Sequence, residues 1–433
     1  MIVLIRSALL NCCKRCLHQD AVIGSTLFLG IETSCDDTGV SVLDSYRRVL
    51  SEVVLSQKDF VRFGGVNPSL AAKFHRKNLK SALNATLTNL AWDDFSKINC
   101  VAVTNRPGIA CCLDIGVEAA VNLASALVLL FIIFGAHRLP LIPIHHMEAH
   151  ALTIRLCNPE VNYPYLCLLI SGGHCLIIWV QNADSFGLLG NSVDTAPGEM
   201  MDKVARRLKL VHLGPDWEQL SGGAAIERMA LNGDPLKYRF FNPFSNAKHC
   251  RFSFAAMKSS VLEFIKSIEA EHGFGSLEPY LPDICASFQH TVYKHLAKRI
   301  QRAVYFLNEK GLIKQPEPGV QVDVPVCTLV VSGGVAANSY IRSGLSYVTR
   351  KYGWDIAFPE QRLCTDNGTM IAWNAAERWN LQSGILWPDQ QNEVLSVYPV
   401  APIENDWRKD VASVKPVIES KWNFSLLWQN CSS

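Results

Sequence analysis

Residues 142–152 read IPIHHMEAHAL, with three histidines and a glutamate inside six consecutive positions. A strand ending near Ile144 would deliver the chain to a helix on which His146 and His150, four residues apart, share a face. Two imidazoles at that spacing can hold one metal ion. The peptidase pattern HExxH needs a glutamate directly after the first histidine. Glu148 is two residues after His146, so a metalloprotease is the weakest option. The competing reading is a capped helix with exposed histidines. A third ligand must come from elsewhere, and Asp366 in RLCTDNG (residues 362–368) is a loop carboxylate at the rim of a strand. Its plainer role would be an Asx-turn or the cap of the helix that follows. ETSCDDTG offers Glu32, Asp36 and Asp37. Strand alternation keeps adjacent aspartates from both facing inward, so a turn would present Asp36 to a ligand. Ordinary turn chemistry with Gly39 is the alternative.

These groups need elements to position them. Apolar runs that read as strands span residues 26–34, 99–108, 140–146, 164–174 and 326–338, each followed by a polar or glycine-containing turn. Helical patterns such as AAKFHRKNLKSALNATLTNLA and ASFQHTVYKHLAKRIQRAVYFLNEKG lie between them. The alternation indicates an α/β fold with largely parallel sheets. LLISGGH and LVVSGGVAAN are both apolar strands ending in Ser-Gly-Gly, a sign of duplication. Two α/β halves offering backbone amides at strand ends would frame a nucleotide cleft.

With 433 residues, 49% of them hydrophobic, the chain can form two cores. A net charge of +2 gives no global attraction to nucleic acid, so RNA binding needs a local basic patch. Candidates are Lys294, Lys298, Arg299 and Arg302 on one helix, and Lys203, Arg206 and Arg207 in DKVARRLKL. The 15 scattered cysteines suit a reducing compartment better than a disulfide framework. The first 25 residues mix Arg6, Lys14 and Arg15 with apolar residues and have no acid before Asp20, as a mitochondrial presequence does. The apolar run at 127–136 is half the length of a membrane span of roughly 20 residues and reads as a buried helix.

LGIETSCDDTG, GGVNPSLAAKFH, VTNRPG, HHMEAH, LLISGGH, DKVARRL, SGGAAIE, FSFAAMK, VSGGVAAN and CTDNG together resemble the tRNA N6-adenosine threonylcarbamoyltransferase family, formerly called O-sialoglycoprotein endopeptidases, and its mitochondrial branch most of all. The resemblance implies the actin-like ATPase (ASKHA) fold, two duplicated α/β domains around a central cleft. The domains would be a presequence over 1–25, an N-terminal domain over 26–150, a C-terminal domain over 151–388 with an inserted helical segment at about 183–300, and a strand and tail over 389–433. The implied activity is transfer of threonylcarbamoyl from threonylcarbamoyl-AMP to N6 of the adenosine 3′ of the anticodon, in mitochondrial tRNAs reading codons that begin with A. By motif position His146, His150 and Asp366 would hold one divalent ion per subunit, iron or zinc. Leu169, Ile170, Ser171, Gly172 and Gly173 would line the substrate phosphate, and Asp202, Gly223, Glu227 and Asn338 would grip the adenylate. Asp36 and Asp37 would sit beside the reacting carbonyl, with Asp36 as the base. The implied partners are tRNA and threonylcarbamoyl-AMP from a separate synthase, in the mitochondrial matrix, with a homodimer left open and no stable membrane insertion. The chain departs from the family pattern in extra residues around 127–136, in Ala256 and Met257 where glycine and leucine are usual, and in its C-terminal ending. A sugar- or acetate-kinase-like phosphotransferase, or a nucleotide-gated binding protein, would share the phosphate loops but leave the histidine pair idle.

Overall fold

The computed structural model describes residues 25–57, 66–129, 139–273, 275–313, 327–391 and 395–414. Residues 1–24 of the presequence expected over 1–25, residues 130–136 of the apolar run, and the tail beyond 414 lie outside the described residues. Among the described residues no helix is long and apolar enough to cross a membrane, and every cysteine is free.

The chain divides into two compact units. The first takes in the described residues of Met1–Leu156 and Thr365–Pro402; the second takes in those of Cys157–Cys364 and Ile403–Ser433. The first unit is built on β1 (Leu27–Glu32), β2 (Thr38–Asp44), β3 (Val49–Leu55), α1 (Pro68–Leu90), β4 (Cys100–Arg106), α2 (Ala110–Leu129), β5 (Leu141–His145) and α3 (His146–Cys157). The second begins with β6 (Tyr165–Ile170), β7 (Cys175–Val180) and β8 (Phe186–Asn191). Helices α4 (Pro197–Arg207), α5 (Pro215–Glu218), α6 (Gly222–Ala230), α7 (Ala255–His272) and α8 (Leu281–Glu309) follow, then β9 (Thr328–Ser332), α9 (Ser339–Lys351) and β10 (Asp355–Ala357). Helix α10 (Gly368–Leu381) returns to the first unit, and β11 (Asn405–Asp406) and α11 (Arg408–Ser413) to the second.

The first sheet has the order β3-β2-β1-β4-β5, and the second β10-β9-β6-β7-β8-β11. In the first, β1–β2–β3 are antiparallel while β1, β4 and β5 are parallel. In the second, β6–β7–β8 are antiparallel while β6, β9 and β10 are parallel. The same five-strand order and polarity therefore occurs twice, which is the duplicated α/β architecture that the resemblance implies. The expectation of largely parallel sheets needs correction, because half of each sheet is an antiparallel meander. Its strands, β2–β3 and β7–β8, are separated by short turns rather than helices, so strand–helix alternation gave no signal for them.

Two boundaries differ from the sequence expectation. Residues 365–388, expected in the C-terminal domain, pack with the first unit. Helix α10 lies directly on β1 and β2 because three glycines remove the spacing side chains would impose. A Cβ on Gly30 would lie 2.2 Å from the Gly368 carbonyl oxygen, and one on Gly39 would lie 2.5 Å from the Gly368 nitrogen. Thr369 Oγ1 adds hydrogen bonds to Ser41 Oγ at 2.8 Å and to Glu52 Oε1 at 2.6 Å. The inserted helices of the second unit lie between β8 and β9, after the antiparallel meander is complete. Ala256 lies inside α7, where φ is negative, so alanine in place of the usual glycine carries no backbone strain there.

The expected basic face on α8 is also corrected. Arg299 and Arg302 are buried. Arg299 donates to the carbonyls of Arg251, Pro243 and Phe244, and Arg302 to those of Lys248, Val411 and Val414. Of the cations on α4, Lys203 pairs with Glu199 and Arg207 with Glu269.

The glycine contact gives a stability prediction. Gly30→Ala forces a methyl group into the α10 backbone and should destabilise the first unit by roughly 1–3 kcal/mol or more. Urea unfolding followed by a probe in that unit checks this. An unchanged midpoint would mean that α10 does not sit on β1 as described.

Candidate metal centre

The first unit brings two neighbouring elements to one point. Strand β5 ends at His145, and α3 starts at His146 without an intervening loop. His146 and His150 therefore project from the first turns of a helix whose origin is fixed by the sheet. Both are buried, at 3% and 4% exposure, which excludes the reading of exposed surface histidines. Their rings meet edge to face with centroids 4.7 Å apart. From the opposite side comes Asp366, in the loop before α10. Its Oδ1 lies 3.4 Å from His146 Nε2 and 3.1 Å from His150 Nε2. Asn367, not Asp366, caps α10 by accepting from the Met370 amide at 2.8 Å. The capping role considered for Asp366 is thus filled by its neighbour, leaving its carboxylate for the histidines.

Behind His146 stands Glu32, at the end of β1. His146 Nδ1 donates to Glu32 Oε2 at 3.0 Å, and Ser34 Oγ lies 3.2 Å from the same nitrogen. The Glu32 carboxylate also accepts from Thr104 Oγ1 at 2.5 Å and from the Ser34 amide at 2.6 Å. Burial penalises charge on all three groups, yet their mutual attraction outweighs it. His146 is pushed up by Glu32 and Asp366, while His146 holds Glu32 and Asp366 below the usual carboxylate range. Glu32 was visible in ETSCDDTG without a role; its place behind His146 depends on pairing between β1 and β4 that no local pattern announces.

The remaining members of HHMEAH are structural. His145 is held neutral by burial and by nearby Arg106, which push its pKa down to about 3. It accepts the Met147 amide at 3.2 Å and lies 3.2 Å from the Ala401 carbonyl oxygen. Glu148 accepts from Arg378 Nη2 at 2.7 Å, and Glu377 accepts from Arg155 Nε at 2.7 Å. These two pairs fasten α3, which carries the two histidines, to α10, the helix that follows the Asp366 loop.

The residues present fit a divalent cation. Ligand atoms about 2.0–2.2 Å from one ion stand roughly 3.0–3.5 Å apart, and both distances to Asp366 Oδ1 fall in that range. His146, His150 and Asp366 are the one group of three such ligands found among the described residues, with ligand atoms all within 4.8 Å of one another. With His146 Nδ1 committed to Glu32, its Nε2 is the atom left for an ion, the carboxylate–histidine arrangement common behind metal ligands.

The other expected site residues lie as follows. Asp36 and Asp37 sit in the turn between β1 and β2, half-buried. Burial, opposed by a Ser56 hydrogen bond and reinforced by Asp366, Asp36 and Glu32, pushes Asp37 up to about 6. His75 on α1 fastens this turn: its Nδ1 is 2.8 Å from Thr38 Oγ1 and its Nε2 is 3.0 Å from the Cys35 carbonyl oxygen. In the second unit, Leu169 and Ile170 are buried strand residues, so they can offer a ligand only backbone atoms. Gly172 and Gly173 are exposed in the β6–β7 turn, but the Gly173 amide is already 3.3 Å from Ser171 Oγ. Asp202 accepts from the Gly222 amide at 2.8 Å, at the start of α6, beside Gly223. Glu227 accepts from the Ser339 amide at 2.7 Å. Asn338 caps α9 by accepting from the Ile341 amide at 2.9 Å, and donates to Gln289 Oε1 at 2.7 Å. A cavity of about 350 Å³ in this unit is lined by Glu227, Leu231, Gln289, Ser339 and Tyr340 among others; Asp202 and Gly223 are not part of its wall.

The model of one protein family, described as TsaD: tRNA N6-adenosine threonylcarbamoyltransferase, matches residues 48–373. The chain belongs to the tRNA N6-adenosine threonylcarbamoyltransferase family. Its relatives include the mitochondrial enzyme of Danio rerio, 42% identical over 388 residues, which cover 89% of this chain and 90% of that protein. The mitochondrial enzyme of Homo sapiens is 40% identical, with 92% and 91% covered. The enzyme of Rickettsia massiliae is 37% identical, with 81% and 92% covered. Among solved structures, full-length HypF in its phosphate- and nucleotide-bound form aligns at 12% identity and a TM-score of 0.46, covering 82% of this chain and 55% of that one.

Removing the support behind His146 tests the centre. Glu32→Gln should weaken zinc or iron(II) binding by about 10–100-fold, measured by competition with a chromophoric chelator. His146→Ala should abolish stoichiometric binding in the same assay. Wild-type affinity in both variants would rule out this cluster as the ligand set.

Proposed function

We propose that the chain transfers threonylcarbamoyl from threonylcarbamoyl-AMP to N6 of the adenosine 3′ of the anticodon, in mitochondrial tRNAs reading codons that begin with A, and that it works in the mitochondrial matrix. The observation that carries this reading is the convergence of His146, His150 and Asp366 in a member of this transferase family. The mitochondrial names of the relatives support the location.

The donor is a mixed carbamic–phosphoric anhydride and is already activated. In the proposed step, the adenosine N6 attacks the carbamoyl carbon and forms a C–N bond. The bond from that carbon to the phosphate oxygen breaks, and AMP leaves with the electron pair. The N6 proton goes to a carboxylate. The rate gain expected is chiefly positional, since a weakly nucleophilic exocyclic amine must be held against the carbonyl. A divalent ion held by His146, His150 and Asp366 would supply Lewis-acid stabilisation of the charge that develops on the departing side. The carboxylate pair Asp36 and Asp37 is proposed as the proton acceptor. The pKa of Asp37, pushed up to about 6, keeps it ionised at neutral pH yet basic enough to accept a proton. Asp202, Gly223, Glu227 and Asn338 of the second unit, with Ser171, Gly172 and Gly173, are proposed to hold the adenylate.

Incubating the protein with threonylcarbamoyl-AMP and unmodified mitochondrial tRNA, followed by nucleoside analysis, tests the reading. Threonylcarbamoyladenosine should appear at one position of the anticodon loop. Its absence with metal-loaded protein would reject the reading. The single-turnover rate should rise about tenfold per unit as pH increases toward about 6 and level off above it, because deprotonation creates the base. Asp37→Asn should remove that limb and slow transfer, and Asp36→Asn should slow transfer while leaving adenylate affinity intact. If neither substitution slowed transfer, the pair would not be the base.

A further inference from the structure

The stretch between Asp234 and Glu263 contains no acidic residue and carries Lys237, Arg239, Lys248, Arg251 and Lys258. Lys237 is spoken for by Asp283. Residues 238–251 run along α8 and are fixed there by its buried polar groups. Arg299 and Arg302 take four of the segment's backbone carbonyls, those of Arg251, Pro243, Phe244 and Lys248. Lys298 Nζ lies 3.2 Å from the Ser245 carbonyl oxygen, and the Tyr238 and Phe241 amides donate to Ser287 and Ser260 at 3.1 Å each. With its carbonyls turned inward, the segment presents Arg239, Lys248 and Arg251 outward as exposed side chains. None of the three has a carboxylate partner among the described residues.

Two features set this face apart from an ordinary solvated charge run. Like charges crowd one another: Lys294 on α8 is lowered by burial and by Arg239, and Lys298 by burial, Lys294 and Arg299. Half-burying lysines beside other cations works against folding, and an anionic partner would offset that cost. Amid these cations, Phe241 leaves 59% of its surface exposed. Cations that track phosphates, interleaved with an aromatic ring on which a base can stack, are the recurrent arrangement for unpaired nucleic acid. A second acid-free basic run, Lys73, Arg76, Lys77 and Lys80 on α1, is exposed but offers no exposed ring.

We propose that this face docks the tRNA substrate, with phosphates on Arg239, Lys248, Arg251, Lys294 and Lys298 and an unpaired base on Phe241. The proposal rests on the transferase reading above and adds where the second substrate is held. Of the cations expected from sequence only Lys294 and Lys298 belong to it; Arg239, Lys248 and Arg251 give no such signal, because the segment that carries them has no helical periodicity.

Binding of unmodified tRNA to the full chain, followed by fluorescence anisotropy across a salt series, tests it. Arg239→Glu/Lys248→Glu/Arg251→Glu should weaken binding more than tenfold and reduce the slope of log K against log salt by about two to three. Phe241→Ala should weaken binding by about fivefold or more without changing the slope. Ultraviolet cross-linking of wild-type protein to tRNA, which needs no variant to fold, should label residues 238–251. Unchanged affinity and slope in the triple variant, with cross-links only elsewhere, would overturn this docking surface while leaving transfer by the wild type intact. A loss of affinity confined to Lys73→Glu/Lys77→Glu/Lys80→Glu would also overturn it. So would a triple variant that loses only its binding to vesicles of anionic phospholipid. Failure of wild-type protein both to bind tRNA and to transfer would instead remove the reading on which the proposal stands.

Discussion

The candidate metal centre of the first unit depends on one convergence: a carboxylate 216 residues along the chain from His150 meets two imidazoles on the first turns of a helix. Nothing local enforces that meeting. It follows from α10 seating on β1 and β2 through Gly30, Gly39 and Gly368, at separations that any side chain would prevent. It is then kept in register by contacts between α3 and α10. Glu148–Arg378 and Arg155–Glu377 are short ion pairs, and Trp373 Nε1 donates to the Leu152 carbonyl at 3.1 Å. The conformational freedom of Asp366 is further reduced because Asn367 caps the helix that follows it.

Electrostatics gives the arrangement its direction toward a cation. Glu32 and Asp366 flank a buried histidine, and their field extends to Asp37, which burial and neighbouring carboxylates push upward together. Gathering carboxylates away from water is a poor way to stabilise a fold, since desolvation can exceed the attraction gained. The hydrogen bonds from Thr104, Ser34 and His146 to Glu32 leave its carboxylate satisfied and its position determined. The other side of the cluster is formed by His146 Nε2, His150 Nε2 and Asp366 Oδ1. That donor set, two imidazole nitrogens and a carboxylate oxygen, suits a divalent ion.

Much of this was legible in the sequence, for identifiable reasons. The parallel strands announced themselves as apolar runs ending in Gly- or His-containing turns, and β5 followed at once by α3 was evident in IPIHHMEAH. The i, i+4 spacing placed His146 and His150 on one face. The antiparallel strands β2, β3, β7 and β8 were missed, because turns rather than helices separate them. The role of Glu32 and the inward turn of Glu148 toward Arg378 depend on long-range packing. The basic face on α8 was misjudged at Arg299 and Arg302. A cation at helical spacing looks the same in sequence whether it meets solvent or bonds the carbonyls of a distant loop.

The most direct test of the central claim is anomalous diffraction at the zinc and iron absorption edges from crystals of metal-loaded protein. One anomalous peak per chain is expected, within about 2.0–2.3 Å of His146 Nε2, His150 Nε2 and an oxygen of Asp366. A peak bound elsewhere, with these three side chains not coordinating it, would contradict the account.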